Sequence, residues 1–344
     1  MNAHRRPLLT LAATLVAGVA LTGCGNLSED DLIFFAGLPQ KKQLEMRPAG
    51  EPSTLDGDQA NTAEQALEVV CADGDLRCHA RNVASELNGI SFTLLDLVDA
   101  VLQHPPTRRE RDRRVWGPIF DAAKQATYRF EMVRVDDGTS ALGTFRFCVH
   151  GTTGRVPARL VDQVSCDVDV DEDTGLALLL SGQFTPGDLE GARARSGVGS
   201  LTLELSRVEP LKGVGRQLII DFDNDDARTE LHLGVVGALL AGTNLERERV
   251  DYDFVREADG SGALNFDAFA NLAPEQPGVE NLVIGAAWNG EQAGRAEAAV
   301  SRVGDLENPL FVAVQCWDAA LGQVYYRAND DTEGNEGDCV FAGL

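Results

Sequence analysis

Positive charge is scarce in this chain of 344 residues. Lysine and arginine together number 30 against 54 aspartates and glutamates, so the formal net charge is −24 at pH 7. Nucleic-acid phosphates require a basic protein surface, and anionic lipid headgroups attract one as well. The composition therefore predicts no nucleic-acid partner and no broad electrostatic contact with a membrane.

Motifs of catalysis are missing too. The sequence contains no G-x-S-x-G, H-E-x-x-H, G-x-x-x-x-G-K-[ST] or G-x-G-x-x-G pattern, although these are typical of serine hydrolases, zinc proteases and nucleotide-binding proteins. We therefore predict no cofactor and a protein that is not an enzyme, with a carboxylate-based hydrolase as the less favoured alternative. The histidines after residue 30 show no metal-ligand spacing among themselves; they are His79, His104, His150 and His232.

Long hydrophobic runs are absent except at the start, where residues 8–21 are almost entirely apolar. This run follows Arg5 and Arg6, and it is shorter than the roughly 20 residues that a membrane-spanning helix needs. A basic head, a short apolar run and small residues are typical of a secretory signal peptide. We therefore expect residues 1–23 to be a signal peptide.

The apolar run ends in Leu21-Thr22-Gly23-Cys24, which resembles the lipobox of bacterial lipoproteins. The resemblance implies that the sulfur of Cys24 receives a diacylglycerol, that the chain is cut before Cys24, and that the new amino group is acylated. Two or three acyl chains anchor a protein stably, whereas one chain binds reversibly. Gly25 after the cysteine further implies the outer membrane, at its periplasmic face or at the cell surface.

Cysteines are few, and the seven present include Cys24. The even remainder in an exported protein predicts three disulfides. Strand alternation would place Cys148 and Cys166 on opposite faces of a sheet unless a bulge intervenes, and a zinc site at Cys71, Cys78 and His79 is the alternative to a first disulfide. The favoured pairs join neighbours: Cys71–Cys78, Cys148–Cys166 and Cys316–Cys339.

Periodicity divides the rest of the chain into three parts. Residues 24–60 are predicted to be a tether, with the apolar segment 32–38 docking on the domain as an extra strand. Residues 61–126 are predicted to be helical, because Thr62 and Gln65 match a capping box and apolar residues recur every three or four positions over 77–103. From 127 to 344, short runs in which apolar and polar residues alternate are separated by turn signals and indicate antiparallel strands. One of the predicted strands covers residues 164–170.

The expected fold class is α+β and mainly β. It is a large antiparallel curved sheet or open barrel, with an N-terminal helical hairpin packed on its concave face, and residues 61–344 form one domain. This architecture is similar to the lipoprotein-carrier folds of the Gram-negative envelope, in which a helix lines a half-open barrel. The segment RRVWGPIF, residues 113–120, separately resembles uncharacterised predicted lipoproteins of GC-rich Gram-negative bacteria, a likeness that implies no activity.

Two functions are compatible with this architecture. The protein could hold an apolar ligand, an acyl chain or an apolar peptide, between helix and sheet, because apolar linings suit such ligands. The same side chains could instead fill the core, which would leave a structural, adhesive or partner-binding lipoprotein of the envelope. The residues expected at the ligand cavity are Leu94, Leu97, Val101, Phe130, Phe145, Phe147, Phe254 and Phe266.

Carboxylates are the one enriched chemical group. The segment DFDNDDARTELH, residues 221–232, has acids at its first, third and fifth positions, like a calcium-binding EF-hand loop. It departs from that pattern at Asp226, in place of the turn glycine, and at His232, in place of the bidentate glutamate. Solvated acidic turns are the alternative. The candidate calcium ligands are Asp221, Asp223, Asp225 and Glu230.

Overall fold

A computed structural model describes most of the chain after residue 28. The described residues are 29–51, 71, 74–102, 104–138, 140–161, 164–190, 193–207, 216–236, 238–239, 246–247, 250–270, 280–303, 305 and 307–343. The helices are α1 (Glu29–Ala36), α2 (Leu76–Leu102) and α3 (Ala158–Val161), with short 3-10 turns at Lys41–Gln43, Leu205–Arg207 and Glu336–Asp338.

Strands make up about half of the described chain. They are β1 (Arg108–Arg109), β2 (Arg113–Asp121), β3 (Ala126–Val135), β4 (Thr144–Thr153), β5 (Ala177–Pro186), β6 (Leu189–Glu190), β7 (Arg193–Ala194), β8 (Gly197–Glu204), β9 (Gln217–Asn224), β10 (Arg228–Val236), β11 (Ala238–Leu239), β12 (Glu246–Arg247), β13 (Val250–Glu257), β14 (Gly262–Ala270), β15 (Glu280–Trp288), β16 (Gly294–Arg302), β17 (Phe311–Trp317), β18 (Gln323–Ala328) and β19 (Asp331–Gly334).

Fifteen of these strands form one antiparallel sheet, in the order β1-β2-β3-β4-β5-β8-β9-β10-β13-β14-β15-β16-β17-β18-β19. The order follows the chain because each strand turns back beside its predecessor. The sheet is open, with β1 and β19 at its edges, while β6–β7 and β11–β12 are separate small hairpins. The prediction of a large, open antiparallel sheet is therefore confirmed.

The two faces of the sheet differ in composition because side chains alternate along each strand. The inner face carries large apolar residues such as Phe130, Phe184 and Phe254, which belong to one continuous core. The outer face carries mostly polar residues. Helix α2 packs on the inner face against β15, β16 and β17, so the helix and the sheet bury each other's apolar surface.

Helix α2 confirms the helix predicted over 77–103. The Asp75 carboxylate accepts a hydrogen bond from the backbone N–H of Cys78 at 3.0 Å, an N-terminal cap, and Pro105 and Pro106 lie just beyond its end. The first helix of the predicted hairpin falls within residues 52–70 and 72–73, outside the described part of the chain. No helix in the described part is both long and apolar enough to cross a membrane.

The segment 29–51 requires a correction to the predicted tether. It is folded into the core, and residues 32–36 belong to a helix rather than to an extra strand. The ring of Phe34 packs edge-on against Phe145, with centroids 5.8 Å apart. Gly37 allows this approach, since a Cβ there would lie 2.2 Å from the Phe145 ring.

The strands also begin earlier than predicted. The charged segment 107–114 forms the β1–β2 hairpin at the edge of the sheet, and RRVWGPIF is most of β2. Pro118 interrupts the alternation expected of a strand, but it stands at an irregularity in the β2–β3 register between Trp116 and Ile119, where a missing N–H is tolerated. The β region therefore begins at residue 108 rather than 127.

The connection between β4 and β5 covers part of the outer face. We call its described residues, 154–161 and 164–176, the outer flap. Residues 164–170 are irregular, so the strand predicted there is wrong and the expected conflict of faces for Cys166 does not arise. Three of its side chains, Val161, Val164 and Leu176, form a small apolar cluster of their own.

Three disulfides join the cysteines as neighbours, in the pairs that the sequence favours. They are Cys71–Cys78, Cys148–Cys166 and Cys316–Cys339, with Cα–Cα distances of 5.6, 5.5 and 5.5 Å. The second bridge fastens the outer flap to β4, and the third fastens the C-terminal residues to β17. Disulfides of this kind are typical of proteins outside the cytoplasm.

Candidate functional site

A cleft of about 570 Å³ lies on the outer face of the sheet. Strands β5, β8, β9, β10 and β13 form its floor, and the turn after β3 borders it. Among the described lining residues none is a lysine or arginine. The charged or titratable side chains that line it are Asp137, Asp221, Asp223, Glu230, His232 and Asp253.

Strand register arranges these side chains in two rows across the sheet. In the first row Asp221 lies opposite His232, which lies opposite Asp253 on the next strand. In the second row Asp223 lies opposite Glu230. Side chains directly opposite have Cβ atoms about 5 Å apart, and neighbours along one strand stand roughly 6.7 Å apart. The carboxylates therefore form a regular two-dimensional array.

Two of these acidic side chains, Glu230 and Asp253, contact a basic or titratable side chain on the same sheet. Glu230 pairs with Arg228 at 2.6 Å, and Arg228 also reaches Glu257 at 3.3 Å. His232 Nδ1 lies 2.7 Å from the Asp253 carboxylate, which fixes the orientation of the ring and leaves Nε2 facing away from that contact. Exposed like charges in adjacent positions are unfavourable to the fold, and a cation bound among them would reduce that repulsion.

The four candidate calcium ligands do not form an EF-hand-like loop. Asp221 and Asp223 lie on β9 and Glu230 on β10, so the one-three-five spacing is the alternation of a strand. Asp225 stands in the turn between them, where its carboxylate accepts hydrogen bonds from the backbone N–H groups of Ala227 and Arg228, both at 2.7 Å. Calcium binding by these residues stays a prediction.

A compact set of metal-binding side chains occurs elsewhere. Within the described part of the chain, the one group of three such residues with ligand atoms within 4.8 Å of one another is Glu131, Cys148 and Cys166. Both sulfurs belong to a disulfide, so they are not thiolate ligands. The zinc alternative for Cys71 and Cys78 meets the same obstacle.

The residues predicted to line a ligand cavity pack into the core. Leu94, Val101 and Phe266 lie against other members of the core cluster. The side chain of Leu97 lies outside the described part of the structure. Phe130, Phe145, Phe147 and Phe254 are buried in the same cluster. Cys24, the predicted lipidation site, also lies outside the described residues.

Three titratable side chains of the cleft, Asp137, His232 and Asp253, were not predicted from the sequence. Asp137, in the turn after β3, belongs to no binding motif. His232 stands out in the sequence mainly as a departure from the EF-hand pattern, and Asp253 is a polar residue that alternates with Tyr252 and Phe254. The signal that could have found His232 and Asp253 is the shared outward phase of β9, β10 and β13. It becomes useful only when the register of three neighbouring strands is known.

No protein-family model, no curated protein and no solved structure matches this chain. The geometry of the cleft and of the core therefore provides the basis for assigning a function.

Proposed function

We propose that the protein is an exported lipoprotein, anchored to the outer membrane through Cys24, which acts as a non-catalytic binding module of the cell envelope. We further propose that its acidic cleft binds a cationic partner, most simply an extended segment rich in lysine or arginine. The observation that carries this proposal is the array of carboxylates in a cleft that no basic side chain lines among the described residues.

The spacing of the cleft favours a basic peptide over a compact cation. Carboxylates repeat at roughly 6.7 Å along β9, and the alternate side chains of an extended peptide repeat at the same interval. A metal ion instead needs several oxygens at 2.3–2.6 Å from one point. The ligand atoms of the cleft do not form a group of three within 4.8 Å of one another.

Export is supported by the three disulfides, and membrane attachment by the lipobox resemblance. An oxidising compartment lets such bridges persist. Glu29 begins α1 only five residues after Cys24, so an extended connection would hold the folded part within about 18 Å of the lipid. An anchor this short favours partners in the same membrane or in the adjoining envelope.

Charge neutralisation of the cleft tests the proposal. The variant carries Asp221→Asn, Asp223→Asn, Glu230→Gln and Asp253→Asn, and the probe is dodecalysine titrated by calorimetry at low salt. Exposed ion pairs contribute about 0.2–1 kcal/mol each, so affinity should fall by about tenfold or more.

The matched control changes the same number of charges on the acidic C-terminal turn. It carries Asp330→Asn, Asp331→Asn, Glu333→Gln and Asp338→Asn, all at exposed positions. We expect its affinity for dodecalysine to stay within about twofold of the wild type, since these residues lie outside the cleft. Equal losses in the two variants would mean that only net charge matters, and the proposed site would be wrong.

One observation supports the alternative of an apolar ligand. Tyr252 is fully buried in the core and its hydroxyl has no hydrogen-bond partner, although buried tyrosine hydroxyls usually find one. Burial raises the pKa of this hydroxyl, so it stays protonated and can donate to the polar end of an acyl chain. Native mass spectrometry should then show lipid-sized adducts that weaken in Tyr252→Phe. Their absence in the wild type would contradict this alternative.

A further inference from the structure

His150 is buried on the outer face of β4, beneath the outer flap. Its Nε2 lies 2.7 Å from the backbone carbonyl oxygen of Val168 in that flap. A carbonyl oxygen only accepts hydrogen bonds, so Nε2 carries the proton and Nδ1 is the unprotonated nitrogen. Nδ1 is buried and has no hydrogen-bond partner.

Charged groups face His150 from the sheet and from the flap. Arg129 on β3 lies directly opposite it in the strand register, and Arg129 pairs with Glu131 at 2.5 Å. Arg113 on β2 contacts the same carboxylate at 2.9 Å. Asp169 faces His150 from the flap. Its carboxylate accepts hydrogen bonds from the Arg207 guanidinium at 2.6 and 2.7 Å.

A proton added to His150 is poorly accommodated in this arrangement. Burial lowers the pKa of the imidazole, and Arg129 lowers it further, while the Val168 carbonyl, Glu131 and Asp169 oppose the shift. The added proton would sit on Nδ1, where no acceptor is within reach. A buried donor left without an acceptor costs about 1–3 kcal/mol, and more when it is charged.

The His150 hydrogen bond is one of several contacts that fix the middle of the flap. Arg146 on β4 pairs with Asp167 at 2.9 Å, and the backbone N–H of Leu178 on β5 donates to the Asp169 carbonyl oxygen at 2.8 Å. The Cys148–Cys166 disulfide tethers it covalently two residues before Val168. The apolar side chains of the flap pack mainly with one another, in the cluster of Val161, Val164 and Leu176. Opening would therefore break the contact at His150 together with these polar contacts, while the disulfide keeps the flap attached to the domain.

We propose that residues 164–176 of the outer flap form an acid-sensitive lid. Proton uptake by His150 releases the Val168 carbonyl and uncovers Arg129 and Glu131, while the Cys148–Cys166 disulfide keeps the lid attached. This lid does not depend on the acidic cleft or on the lipid anchor.

The sign of the pH dependence follows from the direction of the pKa shift. An open lid gives His150 an ordinary pKa near 6.5, whereas the closed lid holds that pKa lower. The closed state is thus fully stable above about pH 6.5 and loses stability as the pH falls below that value. Between pH 7.5 and 5.5 the open population should rise by up to about tenfold.

Hydrogen–deuterium exchange of the mature chain, corrected for intrinsic exchange rates, measures this opening. At pH 5.5 the amides of residues 164–171 should exchange up to about tenfold faster than at pH 7.5. The β13–β14 turn, residues 258–261, lies far from the flap in the strand order and serves as the internal reference. No change in the flap, or the same change in the reference turn, would overturn the proposal.

The variant His150→Gln keeps an N–H donor for Val168 but cannot titrate, so its flap should exchange equally at both pH values. His232→Gln, which removes an exposed histidine of the cleft, should retain the wild-type response. A flap that still responds to pH in His150→Gln would contradict the role of His150. The flap of His150→Gln could instead exchange rapidly at both pH values because the substitution itself opens it. The pH dependence of exchange in the wild type is then the test. An increase at low pH that is confined to residues 164–171 supports the lid, and no such increase refutes it.

Discussion

Replacement of Asp31 by alanine is expected to lower the free energy of unfolding by about 3–5 kcal/mol. The Asp31 carboxylate is 1% exposed. It accepts hydrogen bonds from the Nε–H of Arg114 at 2.7 Å and from the Nε–H of Arg109 at 3.2 Å. The Arg114 side chain is itself only 4% exposed and lies over the Phe34 ring at 4.4 Å. Removal of Asp31 therefore leaves the buried guanidinium of Arg114 without its counter-charge. An uncompensated buried charge is strongly destabilising.

Urea-induced unfolding with the disulfides intact measures this effect. The matched control is Asp226→Ala, because Asp226 pairs with Arg195 at 2.8 Å but both side chains are more than half exposed. Surface pairs contribute about 0–1 kcal/mol, so this control should remain close to the wild type. A comparably small loss for Asp31→Ala would show that α1 does not stabilise the domain in solution and that residues 29–51 behave as the tether that the sequence first suggested.

Replacement of Cys24 by serine is expected to abolish acylation and signal-peptide removal. A serine hydroxyl offers no sulfur for the diacylglycerol, and in the proposed processing order the cut follows lipidation. In cells labelled with radioactive palmitate, the wild type should carry label and the variant none. The variant should also migrate as the longer precursor, which still contains residues 1–23.

The double variant Cys316→Ser, Cys339→Ser is the control for the labelling experiment. It removes two cysteines that form a disulfide far from the N-terminus, so it should be labelled and processed like the wild type. A Cys24→Ser protein that is cut normally and fractionates like the wild type would contradict the proposed anchor.

The regular elements with strong periodicity could be predicted from the sequence. Helix α2 has apolar residues at helical spacing between Asp75 and Pro105, signals that are local and mutually consistent. Strands such as β3 and β13 alternate strictly. Cysteine pairing also followed the sequence order, because each bridge joins cysteines that are close in the chain, with separations of 7, 18 and 23 residues.

The errors have a common physical cause, which is that tertiary contacts overrode the local pattern. The segment 32–38 begins with five apolar residues in a row and was expected to add a strand. The acidic residues 29–31 just before it suit a helix N-terminus, and the deciding contacts of Asp31 and Phe34 come from residues about 80 and 110 positions away. Similarly, alternating valines near Cys166 belong to an irregular flap whose placement depends on Cys148.

The acidic cleft was only half predictable. Its carboxylates stand out in the sequence, but their one-three-five spacing fits a calcium loop and an exposed strand equally well. The choice depends on the pairing of β9 with β10, which places Asp223 opposite Glu230. His150 gave no local sign of its role, since only the covering flap distinguishes it from an exposed histidine on a polar face.

The intact mass of the protein purified from cell membranes tests the central claim most directly. We expect a chain that begins at Cys24, lacks the six hydrogens that three disulfides remove, and carries a diacylglyceryl group, alone or with a further acyl chain on its amino group. A chain that begins elsewhere or bears no acyl group would contradict the proposed lipoprotein, and a mass that retains those six hydrogens would contradict the disulfide framework of the fold.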